Sequence, residues 1–168
     1  MTLYTTMDSP LGELLLVGET SATAKGGTRL ASLSMPGQKR GAVVQVGWTE
    51  DAAAFTEIVS QLRSYFDGTL THFDIECVTS GSEFQQRVWK ALEAIPYGTT
   101  LSYGDIATQI GAPRAAVRAV GTAIGANPLL VIRPCHRVIG ADGALTGYAA
   151  GLERKLRLLD LERVHQPT

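Results

Sequence analysis

The chain has 168 residues, of which 45% are hydrophobic, and a net charge of -1, so it can form one ordinary domain or two small ones. No apolar run is long enough to span a bilayer, and the N-terminus lacks the basic and apolar segments of a signal peptide. We therefore expect a cytoplasmic protein without a membrane partner. Cys77 and Cys135 are too few for a disulfide scaffold, and no closely spaced Cys or His ligands indicate zinc.

Charge is distributed unevenly along the chain. Residues 1–80 carry five Lys and Arg against nine Asp and Glu, whereas residues 81–168 carry ten against seven. No acidic residue occurs from 106 to 141, an interval that contains four arginines: Arg114, Arg118, Arg133 and Arg137. This segment predicts a basic face suited to phosphate. An ordinary solvated surface has the same composition, so charge alone does not decide between the two.

The first half of the chain predicts a small α/β scaffold. Its elements follow from alternating apolar residues, helical apolar spacing and Gly or Pro punctuation. They are strands at residues 3–7, 14–17 and 73–78, a helix at 51–66, and loops at 25–27 and 36–41. The strand at 73–78 would place Cys77 in the core, and no motif in this half indicates chemistry.

The second half predicts helices that begin at capping signals. Ser82 with Gln85, and Ser102 with Asp105, have the spacing of reciprocal caps. The buried faces are predicted to be Phe84, Val88, Leu92 and Ile95 in the first helix and Ile106 and Ile110 in the second.

A third helix is predicted to begin at Pro113, just after a turn centred on Gly111. The two short helices around this turn have the layout of a helix-turn-helix. The third helix offers mostly small residues besides its two arginines, which favours close, sequence-independent DNA binding. A helical hairpin that never meets DNA remains the alternative.

The most informative stretch follows the apolar run at residues 129–132, which predicts a buried strand. Pro134 would end that strand and place Cys135 in a turn. A nucleophilic thiol needs a nearby base or positive charge, and His136 and Arg137 supply both. Neighbouring strand residues point to opposite faces, so we expect the imidazole to reach the thiol through a water molecule or a bent backbone. An inert buried cysteine is the alternative.

The residues after the thiol return the chain toward it. Asp142-Gly143 is a turn signal, and residues 145–148 are predicted to run back. A last helix is predicted at residues 152–161, with its apolar positions at Leu152, Leu156 and Leu159. Glu162 follows directly and is the acidic candidate for orienting His136, because an imidazole that acts as a base is held by a carboxylate on its other nitrogen.

These motifs resemble those of a known family, the O6-alkylguanine-DNA alkyltransferases, also called methylated-DNA–protein-cysteine methyltransferases. The resemblance rests on Pro134-Cys135-His136-Arg137-Val138-Ile139-Gly140, preceded by Asn127-Pro128 and followed by Gly147-Tyr148 and Glu162. It continues upstream in Phe84-Gln85-Gln86-Arg87-Val88-Trp89, Ile95-Pro96-Tyr97-Gly98 and Ser102-Tyr103. It covers residues 82–162, whereas residues 1–80 resemble the family in layout more than in motif.

The resemblance implies a fold and a reaction. The fold would be α/β, with a ribonuclease H-like scaffold domain at residues 1–80 and a helical winged helix-turn-helix DNA-binding domain at residues 81–168. The protein would bind double-stranded DNA as a monomer, with cooperative binding of several copies left open. It would rotate O6-alkylguanine, and as a further candidate O4-alkylthymine, out of the stack. The alkyl group would pass irreversibly to Cys135 without a cofactor, once per molecule.

The resemblance also assigns roles to residues. Cys135 would accept the alkyl group, His136 would take its proton, Glu162 would orient His136, and Asn127 would tie the turn to the helix-turn-helix. Tyr103 would favour rotation of the nucleotide and protonate guanine N3. The guanine pocket would be lined by Tyr148, Ala149 and the backbone of Val138. Contacts with DNA would come from Arg118, Ala119 and Arg137, with Arg118 entering the duplex and Arg114 as the alternative for that role.

Two other classes of function remain open. The first is a DNA-binding module that senses alkylated guanine without repairing it, in which the thiol would be idle. The second is a cysteine hydrolase or a thiol redox protein built on Cys135 and His136. A hydrolase would need an oxyanion hole and a releasable acyl intermediate, and redox cycling would need Cys77 as the resolving cysteine.

Overall fold

A computed structural model describes residues 1–78 and 80–165 of the chain. The chain forms two compact units, Met1–Thr79 and Ser80–Thr168. No helix in the described part of the chain is long and apolar enough to cross a membrane.

The first unit is built on a four-stranded sheet with the order β3-β2-β1-β4. Its strands are β1 (Leu3–Ser9), β2 (Gly12–Thr20), β3 (Thr28–Ser34) and β4 (Thr49–Glu50). β1 and β2 form an antiparallel hairpin in which Ser9 pairs with Gly12, and Gly12 has a φ of 106° that favours glycine. β4 adds to the other edge of β1 in the parallel direction.

One helix, α1 (Thr56–Phe66), packs on this sheet. A 3-10 helix, Ala52–Phe55, leads into it and is capped by the Asp51 carboxylate, which accepts from the amide of Ala54 at 3.2 Å. The core of the unit consists of apolar side chains from both layers, including Leu14, Leu16, Leu30, Leu33, Phe55, Ile58 and Leu62. The predicted scaffold of strands and one helix is therefore present, with a third long strand, β3, that the sequence analysis missed.

The predicted strand at residues 73–78 is wrong. The segment makes one isolated bridge, Leu30 to Cys77, and Cys77 is only half-buried. Its backbone hydrogen bonds are divided between a side chain and β3. The Gln61 amide group donates to the carbonyl oxygen of Asp74 at 2.9 Å and accepts from its amide at 2.8 Å, while the carbonyl oxygen of Glu76 and the amide of Val78 pair with Leu30, each at 2.9 Å. This single bridge to β3 does not extend the sheet by a further strand.

The second unit is mainly helical. Its elements are α2 (Glu83–Glu93), β5 (Leu101–Ser102), α3 (Tyr103–Gln109), α4 (Val117–Gly125), β6 (Val138–Ile139) and α5 (Leu152–Val164). β5 and β6 pair in parallel, with Leu101 opposite Val138. Both predicted capping boxes are present, at Ser82 and at Ser102, so these local signals fix where α2 and α3 begin.

α3 and α4 form the predicted helix-turn-helix, and both contact α2. Gly111 has a φ of 72° in the turn between them, a conformation that favours glycine. The third predicted helix does not start as an α-helix at Pro113. A 3-10 helix, Arg114–Ala116, comes first, and the α-helix begins at Val117.

The last helix is longer than predicted, and its buried face differs from the expected one. Leu152 and Leu156 are 46% and 44% exposed, whereas Lys155, Leu158 and Glu162 are at most 1% exposed. These three residues stand at positions i, i+3 and i+7 of one helix face, so this face carries two charged side chains, Lys155 and Glu162, into the interior of the unit. A hydrophobic pattern cannot identify such a face.

Candidate active site

The thiol of Cys135 lies in a 3-10 helix, Cys135–Arg137, directly after Pro134. Cys135 is 4% exposed, and its amide donates to the carbonyl oxygen of Arg133 at 2.7 Å. Three residues complete one turn of such a helix, so the side chains of Cys135 and His136 diverge by about a third of a turn. The backbone is therefore bent at the thiol.

The run at residues 129–132 is buried but is not the predicted strand. It folds as a tight turn in which Val131 has a φ of 71°, and the amide of Arg133 donates to the carbonyl oxygen of Leu129 at 3.0 Å. The Asn127 side chain closes this turn, since it accepts from the Leu129 amide at 3.0 Å and donates to the Arg133 carbonyl oxygen at 3.0 Å. Asn127 thus supplies the partners that a strand would have provided.

His136, Glu162 and Arg137 form a buried ionic cluster. The Nε2 of His136 lies 2.7 Å from Oε2 of Glu162, and both side chains are at most 1% exposed. Arg137 binds the same carboxylate with two nitrogens at 2.8 Å each and donates to the carbonyl oxygen of Ile95 at 2.7 Å. The structure therefore brings together the predicted imidazole and carboxylate.

Burial would raise the pKa of the Glu162 carboxyl, but its hydrogen bonds with His136 and Arg137 outweigh burial and hold that pKa well below its usual range. An ionised carboxylate only accepts hydrogen bonds, so the proton between the two groups is on Nε2 of His136. Burial lowers the pKa of His136 despite Glu162, which keeps the ring neutral. Its Nδ1 then carries a lone pair, and this buried atom has no hydrogen-bond partner among the described residues.

The Cys135 thiol is held in its protonated form. Burial raises its pKa to about 11, against smaller opposing effects of a hydrogen bond from Asn127 and the positive charge of Lys155. A thiol with this pKa reacts only when a base removes its proton. The Nδ1 of His136 is a neutral base in the same cluster, so the site combines a nucleophile, a base and a carboxylate that orients the base.

The two predicted tyrosines are both connected with the loop that precedes α5, because Tyr148 lies in this loop and Tyr103 contacts its Thr146. Tyr103 is the first residue of α3; its hydroxyl accepts from the Thr146 hydroxyl at 3.1 Å, and its ring faces the bare backbone of Gly121 on α4. The Tyr148 hydroxyl is buried and has no hydrogen-bond partner within residues 1–78 and 80–165. Burial, with the charge of Cys135 as a smaller cause, raises the pKa of Tyr148 well above its usual value.

The remaining predicted pocket residues differ in burial. Val138 is fully buried on β6, and its amide donates to the carbonyl oxygen of Cys135. Ala149 is half-buried in the loop next to Tyr148.

The arginines predicted to form one basic face divide into two groups. Arg114 and Arg118 are exposed, as is Ala119, at the beginning of the helix-turn-helix's second helix. Arg133 and Arg137 are instead 5% and 6% exposed. The guanidinium of Arg133 lies 4.9 Å from the Trp89 ring centroid. The guanidinium of Arg137 binds both oxygens of the Glu162 carboxylate, so the structure replaces its predicted DNA contact with a structural role.

One charged group near the thiol was missed by the sequence analysis. Lys155 on α5 is fully buried, and its Nζ donates to the carbonyl oxygens of Thr146 and Gly147 at 2.7 and 3.3 Å. No local signal distinguishes it from the exposed arginines of the same helix. In the part of the chain that the structure describes, no group of three or more His, Cys, Asp or Glu side chains is arranged to hold a metal ion.

Two family models match the chain. Residues 2–78 match the ribonuclease-like domain of 6-O-methylguanine DNA methyltransferase, and residues 83–164 match the DNA-binding domain of the same protein. The ribonuclease-like match confirms the fold class that the resemblance implied for the first half, and the second match confirms a helical DNA-binding domain. A helix-turn-helix beside a buried thiol, imidazole and carboxylate is thus the architecture of an alkyl-transferring DNA repair protein.

Individual relatives agree with these models. Methylated-DNA–protein-cysteine methyltransferases are 55% identical in Mycolicibacterium paratuberculosis, over 98% of this chain and 94% of the relative, and 46% identical in Methanosarcina acetivorans, over 95% and 97%. The crystal structure of Mycobacterium tuberculosis OGT in complex with DNA superimposes with a TM-score of 0.87 and 52% identity, covering 99% of this chain and 96% of that one. The chain belongs to the 6-O-methylguanine DNA methyltransferase family.

Proposed function

We propose that this chain repairs DNA by transferring the alkyl group of an O6-alkylguanine to the Sγ atom of its own Cys135. The family membership and the relatives named methylated-DNA–protein-cysteine methyltransferase support this reaction, and the similar structure in complex with DNA supports DNA as the partner. The observation that carries the proposal is the buried thiol beside a His136 and Glu162 pair whose Nδ1 is free to accept a proton.

The first step is removal of the thiol proton. Nδ1 of His136 accepts it through a bridging water molecule, because the 3-10 helix directs the two side chains apart. The imidazolium that forms lies against the ionised Glu162 carboxylate at 2.7 Å, which stabilises the positive charge. Arg137 fixes the carboxylate in this orientation and already balances its charge, so the ring can return to its neutral form after the reaction.

The second step is substitution at the alkyl carbon. A bond forms between Sγ and that carbon while the bond from the carbon to guanine O6 breaks, and the electron pair passes to the base. The departing guanine then takes up one proton, which matches the one proton that the thiol lost in the first step. Tyr103 supplies a proton at N3 in this scheme, and the imidazolium returns the proton to Tyr103 through water. A thioether does not release its alkyl group to water, so each molecule acts once.

The target base must leave the duplex to reach a thiol that is 4% exposed. The exposed second helix of the helix-turn-helix carries Arg114 and Arg118, and this surface lies against DNA in the proposal. Arg118 fills the place of the extruded base while Arg114 contacts phosphate. Tyr148, Ala149 and the Val138 backbone line the pocket, and the buried Tyr148 hydroxyl offers the base a hydrogen bond. The protein acts as a monomer.

The test is the mass of the protein after reaction. Duplex DNA with a single O6-methylguanine is mixed with the wild type and with Cys135→Ala, and peptides are analysed by mass spectrometry. We expect one methyl group on Cys135 per molecule, and none on the variant. Lesion binding without a mass change would indicate a sensor module, and ester hydrolysis with turnover would indicate a hydrolase; each would contradict the proposal.

A further inference from the structure

The hydroxyl of Thr146 contacts the hydroxyl of Tyr103. Its Oγ1 donates to the Tyr103 oxygen at 3.1 Å, although the two residues are 43 positions apart in the chain. Tyr103 is the first residue of α3, whereas Thr146 lies in the loop before α5. In the proposed reaction Tyr103 delivers a proton to guanine N3, so a residue that binds its hydroxyl binds the proton donor.

Both partners of this hydrogen bond are held in place by the rest of the unit. The Tyr103 ring lies against Gly121 of α4, where a Cβ would be 3.8 Å from two ring carbons. The carbonyl oxygen of Thr146 accepts from Nζ of Lys155 at 2.7 Å, which fixes its backbone to α5. The Thr146 methyl group faces Gly140, where a Cβ would be 3.5 Å away. A β-branched side chain whose methyl group is held in this way keeps one rotamer, and this rotamer directs the hydroxyl at Tyr103.

The direction of the hydrogen bond decides where the phenolic proton can go. A hydroxyl donates one hydrogen bond and accepts two. Because Thr146 is the donor, the O–H of Tyr103 is not used within this pair and is left for an acceptor outside it. An accepted hydrogen bond also polarises the phenolic O–H, which makes it a stronger donor.

The same hydrogen bond gains strength during the reaction. When the phenolic proton passes to N3, the Tyr103 oxygen becomes negatively charged, and a hydrogen bond to a charged oxygen is roughly twice as strong as one to a neutral oxygen. An interaction that is stronger in the transition state than in the ground state accelerates the chemical step. The imidazolium of His136 then returns a proton to the phenolate through water, as in the proposed scheme, so the protons balance.

We propose that Thr146 is a positioning residue for alkyl transfer, whose hydroxyl orients the proton of Tyr103 toward the departing guanine and stabilises the phenolate that remains. This inference rests on the proposed function, in which Tyr103 protonates N3. The Thr146 hydroxyl should therefore affect the rate of transfer and not the affinity for the lesion, and it should matter only for a base that contains N3.

The first test is single-turnover methyl transfer at saturating duplex DNA with one O6-methylguanine. Thr146→Val keeps the shape of the side chain without its hydroxyl, and we expect it to react about tenfold more slowly than wild type with an unchanged Kd for lesion DNA. Thr146→Ser restores the hydroxyl and should lose at most about threefold, because serine populates three rotamers. Thr6→Val changes an exposed threonine on β1 and is the matched control, with the wild-type rate expected.

A second substrate separates this role from packing. In O6-methyl-3-deazaguanine a C–H group replaces N3, so Tyr103 has no atom to protonate, and Thr146→Val should match wild type within about twofold. Tyr103→Phe removes the proton donor itself. Adding Thr146→Val to Tyr103→Phe should slow transfer from O6-methylguanine no further, because the two residues act as one unit. Equal slowing on both bases, or slowing that multiplies with that of Tyr103→Phe, would overturn the proposal in favour of a packing role.

The outcomes also separate this inference from the proposed function. If Cys135 gains no methyl group from either base, the proposed function fails and the role of Thr146 fails with it. If Cys135 is methylated and Thr146→Val reacts at the wild-type rate, the proposed function stands and Thr146 has no part in proton transfer. A weaker Kd with an unchanged rate at saturation would place the hydroxyl in DNA binding, which would also overturn the proposal.

Discussion

At the scale of single residues, Glu162 is the group on which most of the site depends. Its two oxygens are shared by His136 and Arg137 inside the unit, and removing one partner of a buried ionic cluster leaves an uncompensated charge. We expect Glu162→Gln to lower the free energy of unfolding by about 3 kcal/mol. Because His136 loses the carboxylate that stabilises its protonated form, transfer should slow by about 100-fold.

Urea denaturation and single-turnover kinetics measure the two effects of Glu162→Gln. Glu13→Gln, an exposed carboxylate on β2, is the control and should change neither quantity. A Glu162→Gln protein as stable as wild type would contradict the assignment of Arg137 to a buried structural pair.

The buried pair of His136 and Glu162 makes the stability of the protein depend on pH. Burial lowers the folded pKa of His136 from 6.5, so the unfolded chain takes up this proton first as the pH falls below about 6.5. The folded pKa of Glu162 is also lowered from 4.5, because its hydrogen bonds outweigh burial, so its contribution is present above pH 4.5 and is lost below it. We expect the free energy of unfolding to decline from pH 6.5 downward, and Glu162→Gln to decline less below pH 4.5. Urea titrations at each pH measure this.

At the scale of elements, the second helix of the helix-turn-helix carries two exposed arginines with separable roles. An arginine that replaces an extruded base is needed on a duplex and not on a single strand, whereas a phosphate contact matters for both. Arg118→Ala should therefore slow transfer on duplex DNA by about tenfold or more and leave transfer on single-stranded DNA within about twofold of wild type.

Arg114→Ala is the matched comparison. It should weaken binding to both substrates and reduce the slope of log affinity against log salt by about one, as loss of a phosphate contact does. If Arg114→Ala instead slows transfer on duplex DNA alone and Arg118→Ala weakens binding to both substrates, then Arg114 is the arginine that enters the duplex. Equal losses on single-stranded and duplex DNA for both variants would contradict base replacement by this helix.

Elements with local signals were predicted correctly, and those that depend on distant partners were not. Ser82 and Ser102 specify helix starts by hydrogen bonds within four residues, which the sequence contains. β3 was missed because the register shifts opposite Val17 and Gly18, so its buried Leu30 and Leu33 do not alternate. The run at 129–132 resembles a strand, yet the Asn127 side chain satisfies it as a turn, and no composition rule reveals that partner.

At the scale of the whole molecule, the sequence predicted that the Glu162 carboxylate orients His136, 26 residues earlier, and the structure places the two side chains 2.7 Å apart. The sequence could not show that two of the four arginines in the acid-free interval are buried, since burial depends on Trp89 and Glu162 from other helices. For the same reason it could not single out Lys155. Charge counts predicted the half of the chain that matches the DNA-binding domain, but not which of its arginines are exposed.

The reaction itself should change the stability of the molecule. Cys135 is 4% exposed and the thiol interacts with the Asn127 side chain, so a methyl group on Sγ adds volume to a packed site and disturbs the partner that closes the 127–134 turn. Overpacking of this kind costs about 1–3 kcal/mol. We therefore expect the methylated protein to unfold at a lower temperature, by about 2–4 °C for each kcal/mol in a chain of this size.

Differential scanning calorimetry of the methylated and unmethylated proteins, both freed of DNA, measures this difference. Cys135→Ala carried through the same exposure to lesion DNA is the control, because it meets the substrate without gaining the methyl group. The loss should be confined to the transition of the unit Ser80–Thr168, in which Asn127 and Cys135 lie. If the methylated protein melts at the same temperature or higher, the site accommodates the alkyl group without strain, and the product of repair is as persistent in its folded form as the active protein.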